Sequence, residues 1–416
     1  MPGAPALLPS GEHFIHNHGE AMAKGDQTGE MKRRQPSRRS QIPPFIVMDV
    51  MRAAATRIAS GHDVVHMEVG EPGTPAPQAA IAAAERALRA GPIGYTQALG
   101  MDALRQRIAR HYRDRHGLDV DPGRVIVTQG SSAAFILAFL AAFNPGERLA
   151  VPTPGYPAYR HTTAALDIEP VIIETKATER WAPTPAAVRA AHQEKSLAGL
   201  LVASPNNPTG TVISRDDLTT LAACCRDLGI WLISDEIYHG LTYGAPETTA
   251  LAVDDDAIIV NSFSKYWCMT GWRVGWLIVP ERLVRPIECL AQNLFISPSL
   301  LSQVAALAAF EADEELEAYK RAYARNRAIL MSELPALGFR EVLPMDGAFY
   351  AYCSVEPFSN ESKAFAAKLL AETGIAATPG LDFDPAHGHR YIRFSYAGPE
   401  ATIVECVRRL KGWLPR

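Results

Sequence analysis

Two cations in the stretch Asn261 to Gly275 occupy places where charge is costly. Lys265 follows the apolar run Ala257 to Val260 and sits between Ser262, Ser264 and a second apolar run. That second run, Trp272 to Val279, contains Arg273. Lysine and arginine are seldom buried without an anion to meet. A lysine neutralised by its surroundings can form an imine with a carbonyl, and an arginine can clamp a phosphate or carboxylate. Asp235 poses the converse question. It closes the apolar run Ile230 to Ile233, and no lysine or arginine neighbours it in sequence. A desolvated carboxylate takes up a proton unless a cation faces it, and the protonated nitrogen of a pyridine ring would serve.

Further groups extend the set. Gly130-Ser131-Ser132 opens a helical run, so its amides and hydroxyls make an anion site. Ser262 and Arg273 would complete a phosphate cup. Tyr238, three residues past Asp235, and Asn207, fixed by Pro208, can reach one phenolate oxygen. Tyr156, between Gly155 and Pro157, can stack on a flat ring. Arg393 lies among apolar residues of a strand and suits two-point recognition of a carboxylate. Taken singly, each has an ordinary structural reading: a cap, a turn, a core side chain, a salt bridge. Together they match pyridoxal phosphate part by part.

The elements that must position these groups alternate. Strand-like runs at Val125–Thr128, Leu149–Val151, Val171–Ile173, Leu200–Val202, Ile230–Ile233, Ala257–Val260 and Trp272–Val279 are separated by helical patterns or turn clusters. Alternation of this kind predicts an α/β fold with a mainly parallel sheet sandwiched by helices. Ligands of such sheets bind beyond the carboxyl ends of the strands. Gly130-Ser131-Ser132, Tyr156, Asn207, Asp235 and Lys265 all fall at such ends, and independent accidents would not place five clusters on one rim. After Pro280 one long helical stretch, interrupted near Pro298, runs to about Leu334. The remainder mixes strands (Gly347–Tyr352, Arg390–Ser395) with helices (Ser362–Thr373, Pro399–Leu410) and reads as a smaller α+β domain. The expected division is a disordered leader over 1–41, a segment 42–69 packing with the small domain, a large cofactor-binding domain over 70–310 and a small domain over 311–416.

The 416 residues are 47% hydrophobic and 21% charged with a formal net charge of -4, so nothing favours nucleic acid or an anionic membrane as partner. No apolar run reaches the roughly 20 residues of a membrane span. Six scattered cysteines without C-x-x-C spacing suit a reducing, cytoplasmic setting, and no metal site is expected. In the leader, His13, His16 and His18 invite a metal reading that their polar surroundings do not support, and the basic residues Lys32 to Arg34 read as a solvated arm. Met22 or Met31 is a candidate true start, which intact mass would test.

Ser204-Pro205-Asn206-Asn207-Pro208-Thr209-Gly210, Asp235-Glu236-Ile237-Tyr238, Ser262-Phe263-Ser264-Lys265 and Gly271-Trp272-Arg273-Val274-Gly275 resemble the signature set of class I/II aminotransferases. These are pyridoxal 5'-phosphate enzymes of fold type I, in the aspartate aminotransferase superfamily, and the resemblance runs from about Ile42 to the C-terminus. It implies that Lys265 carries the cofactor, that Asp235 faces the pyridine nitrogen, and that Tyr238 and Asn207 meet the 3'-oxygen. Tyr156 would stack on the ring, and Gly130, Ser131, Ser132, Ser262 and Arg273 would hold the phosphate. Arg393 would clamp the substrate carboxylate with the help of the Gly70 backbone, and Tyr95 would reach the phosphate of a second subunit in a homodimer. The implied activity is ping-pong transfer of an amino group between an amino acid and a 2-oxo acid. Two departures bear on substrate: the Gly70-Glu71-Pro72 loop is shorter than the family form, and Gln292 to Pro298 lacks the basic residue of dicarboxylate-specific members. Neutral or aromatic donors are therefore expected over aspartate. Rival readings are a β-eliminating C–S lyase or a decarboxylase on the same fold and, from another class, a cofactor-binding regulator fused to a DNA-binding domain.

Overall fold

A computed structural model describes residues 34–342 and 345–415. The chain divides into a unit 1–38, of which residues 34–38 are described, and a compact unit 39–416. The leader's three histidines and the two candidate start methionines lie outside the described residues. In the second unit Arg39 pairs with Asp167 at 2.5 Å.

Helix α1 (Ile46–Ala59), the two-residue strand β1 (Val65–His66), α2 (Gln78–Ala90) and α3 (Asp102–His116) precede the alternating region. There follow β2 (Val125–Thr128), α4 (Gly130–Ala142), β3 (Arg148–Thr153), α5 (Pro157–Ala165), β4 (Glu169–Glu174) and α6 (Pro185–Glu194). The region closes with β5 (Gly199–Ala203), α7 (Arg215–Leu228), β6 (Trp231–Asp235), β7 (Ile258–Ser262) and β8 (Gly275–Ile278). These strands form one sheet in the order β2-β8-β7-β6-β5-β3-β4. Alternate side chains face opposite ways, as the strand repeat requires. Val127, Leu200, Leu232 and Ile259 enter one core, while Ile126, Leu201, Ile233 and Ile258 enter the other. Burial on both faces is why the strands inside the edge strand β4 read as unbroken apolar runs.

Three local expectations change. Pairing is parallel except at β8, which runs antiparallel to both β7 and β2. The strand expected from Trp272 begins only at Gly275, because Thr270–Trp272 forms a 3-10 turn and Arg273 adopts a left-handed φ of 51°. Helix α5 is not among the expected elements; Pro157 at its first position, with φ pre-set for a helix, starts it. Ser214 caps α7: its hydroxyl accepts from the Asp217 amide at 3.1 Å and donates to Asp217 Oδ2 at 2.6 Å.

The long helical stretch after Pro280 is three helices, α8 (Glu281–Leu294), α9 (Leu300–Ala309) and α10 (Asp313–Ala336). Then come β9 (Tyr350–Ser354), α11 (Ser362–Thr373), β10 (Ile375–Ala376), β11 (Thr378–Pro379), β12 (Tyr391–Ser395) and α12 (Glu400–Trp413). Strands β11-β12-β9 make a small antiparallel sheet. Strand β9 starts later than the pattern suggests, since Ala348 at φ 56° still belongs to the approaching turn. Strand β1 pairs with β10, and Ala54 of α1 packs with Leu370 and Ala376, so the segment before Gly70 is fastened to the C-terminal part.

Candidate active site

The carboxyl ends of the parallel strands and the inner face of the small sheet enclose a cavity of about 760 Å³. From the large sheet's side come Ser131, Ser132, Tyr156, Asn207, Asp235, Tyr238, Lys265 and Arg273. From the other side come Gly70, Tyr350 and Arg393. Lys265 and Asp235, thirty positions apart in sequence, thus open on one space.

Asp235 ends β6 and is 4% exposed. One carboxylate oxygen accepts from the Tyr159 hydroxyl, and the other accepts from the Ile237 amide at 3.1 Å. Both donors are neutral. Burial pushes the carboxyl up to about 6, outweighing these hydrogen bonds and the weaker pull of the Lys265 amine. Lys265 stands in the loop after β7, and its Nζ donates to the Gly70 carbonyl at 2.5 Å. Burial, and then the Arg393 guanidinium, bring its amine down to about 8. A lysine in that state supplies a neutral nucleophile near neutral pH.

Arg393 lies mid-strand in β12 and is 3% exposed. Nη1 donates to Asn207 Oδ1 at 2.8 Å and Nη2 to the Glu68 carbonyl at 2.5 Å, while Nε has no partner. The guanidinium is sandwiched between the rings of Tyr350 and Phe383, at 4.3 and 4.7 Å from their centroids. Among the described residues no carboxylate pairs with it, which removes the salt-bridge reading. A buried, fully charged group held only by neutral oxygens and rings is set up to receive an anion.

Tyr238, behind Lys265, shares a 2.7 Å hydroxyl contact with Tyr350. Gly70 explains itself here: a Cβ at that position would run into the Tyr350 hydroxyl. At the opposite end, α4 begins at Gly130 with no acidic residue in its first turn, leaving its first amides for an outside acceptor. Gly130, at φ 75°, lies against Arg273, and a side chain there would overlap the guanidinium. Ser131 and Ser132 face the cavity. Ser262 is just behind it, bonded to Ser264 Oγ at 2.8 Å and to the Val274 carbonyl at 3.1 Å, and it is Ser264 that reaches the lining. Tyr156 caps α5, and Tyr159, one turn on, reaches Asp235. Tyr95 is apart from the cavity and 86% exposed.

Sequence reasoning missed Tyr159, Tyr350, Phe383, Asp382 and the α1 side chains Val47, Met48 and Met51, all of which line the cavity. Only Tyr159 left a signal: two tyrosines at i and i+3, with proline after the first, belong on one face of a helix start.

The family model for aminotransferase class I and II matches residues 62–410. A valine–pyruvate aminotransferase of Mycobacterium tuberculosis is 47% identical over 91% of this chain and 98% of its own length. An aspartate/prephenate aminotransferase of Thermus thermophilus is 33% identical over 91% of this chain and 99% of its own. Among solved structures, an aminotransferase from Mycobacterium tuberculosis superposes with a TM-score of 0.90 at 46% identity, covering 92% of this chain and 100% of that one. The aspartate aminotransferase from Thermus thermophilus with maleate superposes with a TM-score of 0.85 at 32% identity, covering 91% and 99%.

Proposed function

Because the chain belongs to the class I and II aminotransferases, and is therefore a pyridoxal-phosphate-dependent transaminase acting between amino acids and 2-oxo acids, we propose that its donors are neutral L-amino acids with apolar side chains and that its acceptor is a small 2-oxo acid such as pyruvate. The observation that carries this reading is the count of cations in the cavity wall. Lys265, Arg273 and Arg393 are the three among the described residues. A cofactor aldehyde, a phosphate and a substrate α-carboxylate engage one each, so none remains for a second carboxylate. Glu71, also in the wall, adds negative charge. Val47, Met48, Met51, Val69 and Ile237 supply apolar surface. The relative named for valine and pyruvate shares this preference in its name, whereas the one named for aspartate and prephenate is less similar.

The residues present fit pyridoxal phosphate: Asp235 wants a cation, the α4 start beside Arg273 wants an anion, and Lys265 opens on the same cavity. When bound, that group supplies a carbonyl for condensation with amines and a ring that draws electrons from the substrate Cα. Asp235 would keep positive charge on the ring nitrogen. Tyr238 and Asn207 would hold the ring oxygen, and Tyr156 would cover the ring. Ser131, Ser132, the Gly130 backbone and Arg273 would secure the phosphate, with Ser262 behind the wall holding Ser264 toward it. Arg393 fixes the amino acid by its α-carboxylate, which orients the Cα–H bond. Lys265 Nζ would take the proton from Cα and deliver it to the carbon that enters as the cofactor's aldehyde, acting as base and then acid.

A homodimer accounts for the exposure of Tyr95. Ile93 and Tyr95 on one segment, and Leu294 and Ile296 on the one that Thr96 contacts through Ser297 and Pro298, all remain exposed. Such an apolar group suits cover by a second copy. A cytoplasmic setting is in keeping with the free cysteines. The test of substrate is a panel of kcat/KM values for valine, alanine, methionine, phenylalanine and aspartate with a common acceptor. Aspartate should rank last; aspartate ranking first would overturn the reading, as would ammonia release without an acceptor.

A further inference from the structure

Helix α1 forms part of the apolar wall, yet no side chain of its own caps its first turn. Its N-cap, Phe45, packs its ring against Tyr156 and His161 but makes no side-chain cap bond, and Ala54, two turns further on, is its only buried residue. Met48 is 53% and Met51 37% exposed, so core packing does not fix them. The tie comes from far along the chain. Asp382 accepts from the Ile46 amide at 2.9 Å through Oδ1 and from the Val47 amide at 3.2 Å through Oδ2. It is itself buried, and its carbonyl and that of Phe383 accept from the buried Arg160 guanidinium at 3.0 and 3.1 Å. Arg160 follows Tyr159 on α5. One continuous chain of contacts therefore runs from the Asp235–Tyr159 pair, through α5 and Arg160, to Asp382 and the start of α1.

We propose that Asp382 is a positioning residue for substrate side-chain selection: by capping α1 from the opposite end of the sequence, it holds Val47, Met48 and Met51 against the cavity and so favours bulky apolar amino acids over small ones. This rests on the apolar-donor reading above. The carboxylate lines the cavity without repelling such substrates, because both its oxygens are engaged by helix amides whose partial positive charge it neutralises. A side chain that reaches α1 gains from the tie, whereas alanine, with one methyl group, has too little surface to feel it.

The experiment compares the holoenzyme with Asp382→Ala and Asp382→Asn. The kcat/KM ratio for valine over alanine is measured with 2-oxobutyrate as acceptor, and hydrogen exchange is followed at Ile46 and Val47. Loss of a helix cap corresponds to roughly tenfold. The ratio should fall about tenfold in Asp382→Ala, mainly through KM for valine, and less in Asp382→Asn, which retains one acceptor. Exchange at the two amides should accelerate in the same order, and Met48→Ala should lower the ratio without accelerating exchange. A ratio equal to wild type, or equal losses for both donors, would overturn the proposal. If Asp382→Ala fails to fold, Asp382→Asn with Met48→Ala is read by the same criteria. A wild-type enzyme preferring aspartate would sink the apolar-donor reading instead, and the exchange data would still show whether Asp382 secures α1.

Discussion

Replacing Asp235 by asparagine should make the cofactor-free protein more stable and the enzyme inactive. Without the cofactor, burial outweighs the Tyr159 and Ile237 hydrogen bonds and the Lys265 amine and pushes the carboxyl from 3.8 to about 6. Between those values the folded state binds the proton more readily than the unfolded chain. The contribution of this group is therefore fully present below pH 3.8 and is lost as pH rises through about 6. At about 1.4 kcal/mol for each tenfold step, ionising the buried acid costs about 3 kcal/mol above pH 6. Asparagine does not titrate and is nearly the same size, so it escapes that cost. The variant can still accept the Ile237 amide bond. Urea unfolding of the two apoproteins should show a stability difference near zero at pH 4 that grows toward about 3 kcal/mol in favour of Asp235→Asn by pH 7. The interval from pH 4 to 7 avoids the Lys265 amine, which titrates near 8. With pyridoxal phosphate bound the order should reverse, since only the carboxylate stabilises a charged ring nitrogen, and turnover should fall by about three orders of magnitude or more. Parallel unfolding curves at every pH, or an apo variant weaker than wild type at pH 7, would refute the claim that burial of Asp235 outweighs its partners.

Three further outcomes are expected. Lys265→Ala should abolish turnover and the cofactor's imine absorbance, and uptake of cofactor by the wild-type apoprotein should accelerate as pH rises through about 8, where the amine loses its proton; flat uptake from pH 6 to 9 would contradict this. Arg393→Ala should raise KM for every amino acid about a hundredfold or more, because the α-carboxylate loses a buried charged partner; an effect confined to one substrate would reassign the residue. Gly70→Ala should lower kcat/KM about tenfold by forcing its Cβ against the Tyr350 hydroxyl, and adding Tyr350→Phe should recover part of that loss; additive losses would show that the two positions do not meet.

Much of this site was legible because its parts lie at the ends of apolar runs. Asp235, Lys265 and Asn207 each follow a recognisable strand, and parallel alternation alone brings those ends together. What the runs do not carry is direction. A short, uniformly apolar segment such as Gly275–Ile278 looks alike whichever way it points, so the reversal of β8 left no trace. Partners contributed across long separations were silent as well. Tyr350 meets Tyr238 and Asp382 meets Ile46 through the docking of the small sheet and α1, and no local pattern near those residues announces the contact. Arg393 was visible as a misplaced charge, but its lack of any acidic partner became evident only once its surroundings were folded around it.

The reversal of β8 has a consequence for how such a site can vary. The chain leaves the rim at Ser262 and re-enters the sheet at Gly275 without a crossover, so Lys265 and Arg273 hang from one loop, residues 263–274. An insertion there would displace the amine and the guanidinium together. The loop behaves as a cartridge: exchanged whole between homologues it should carry both groups in register, and lengthened by a single residue it should spoil both at once.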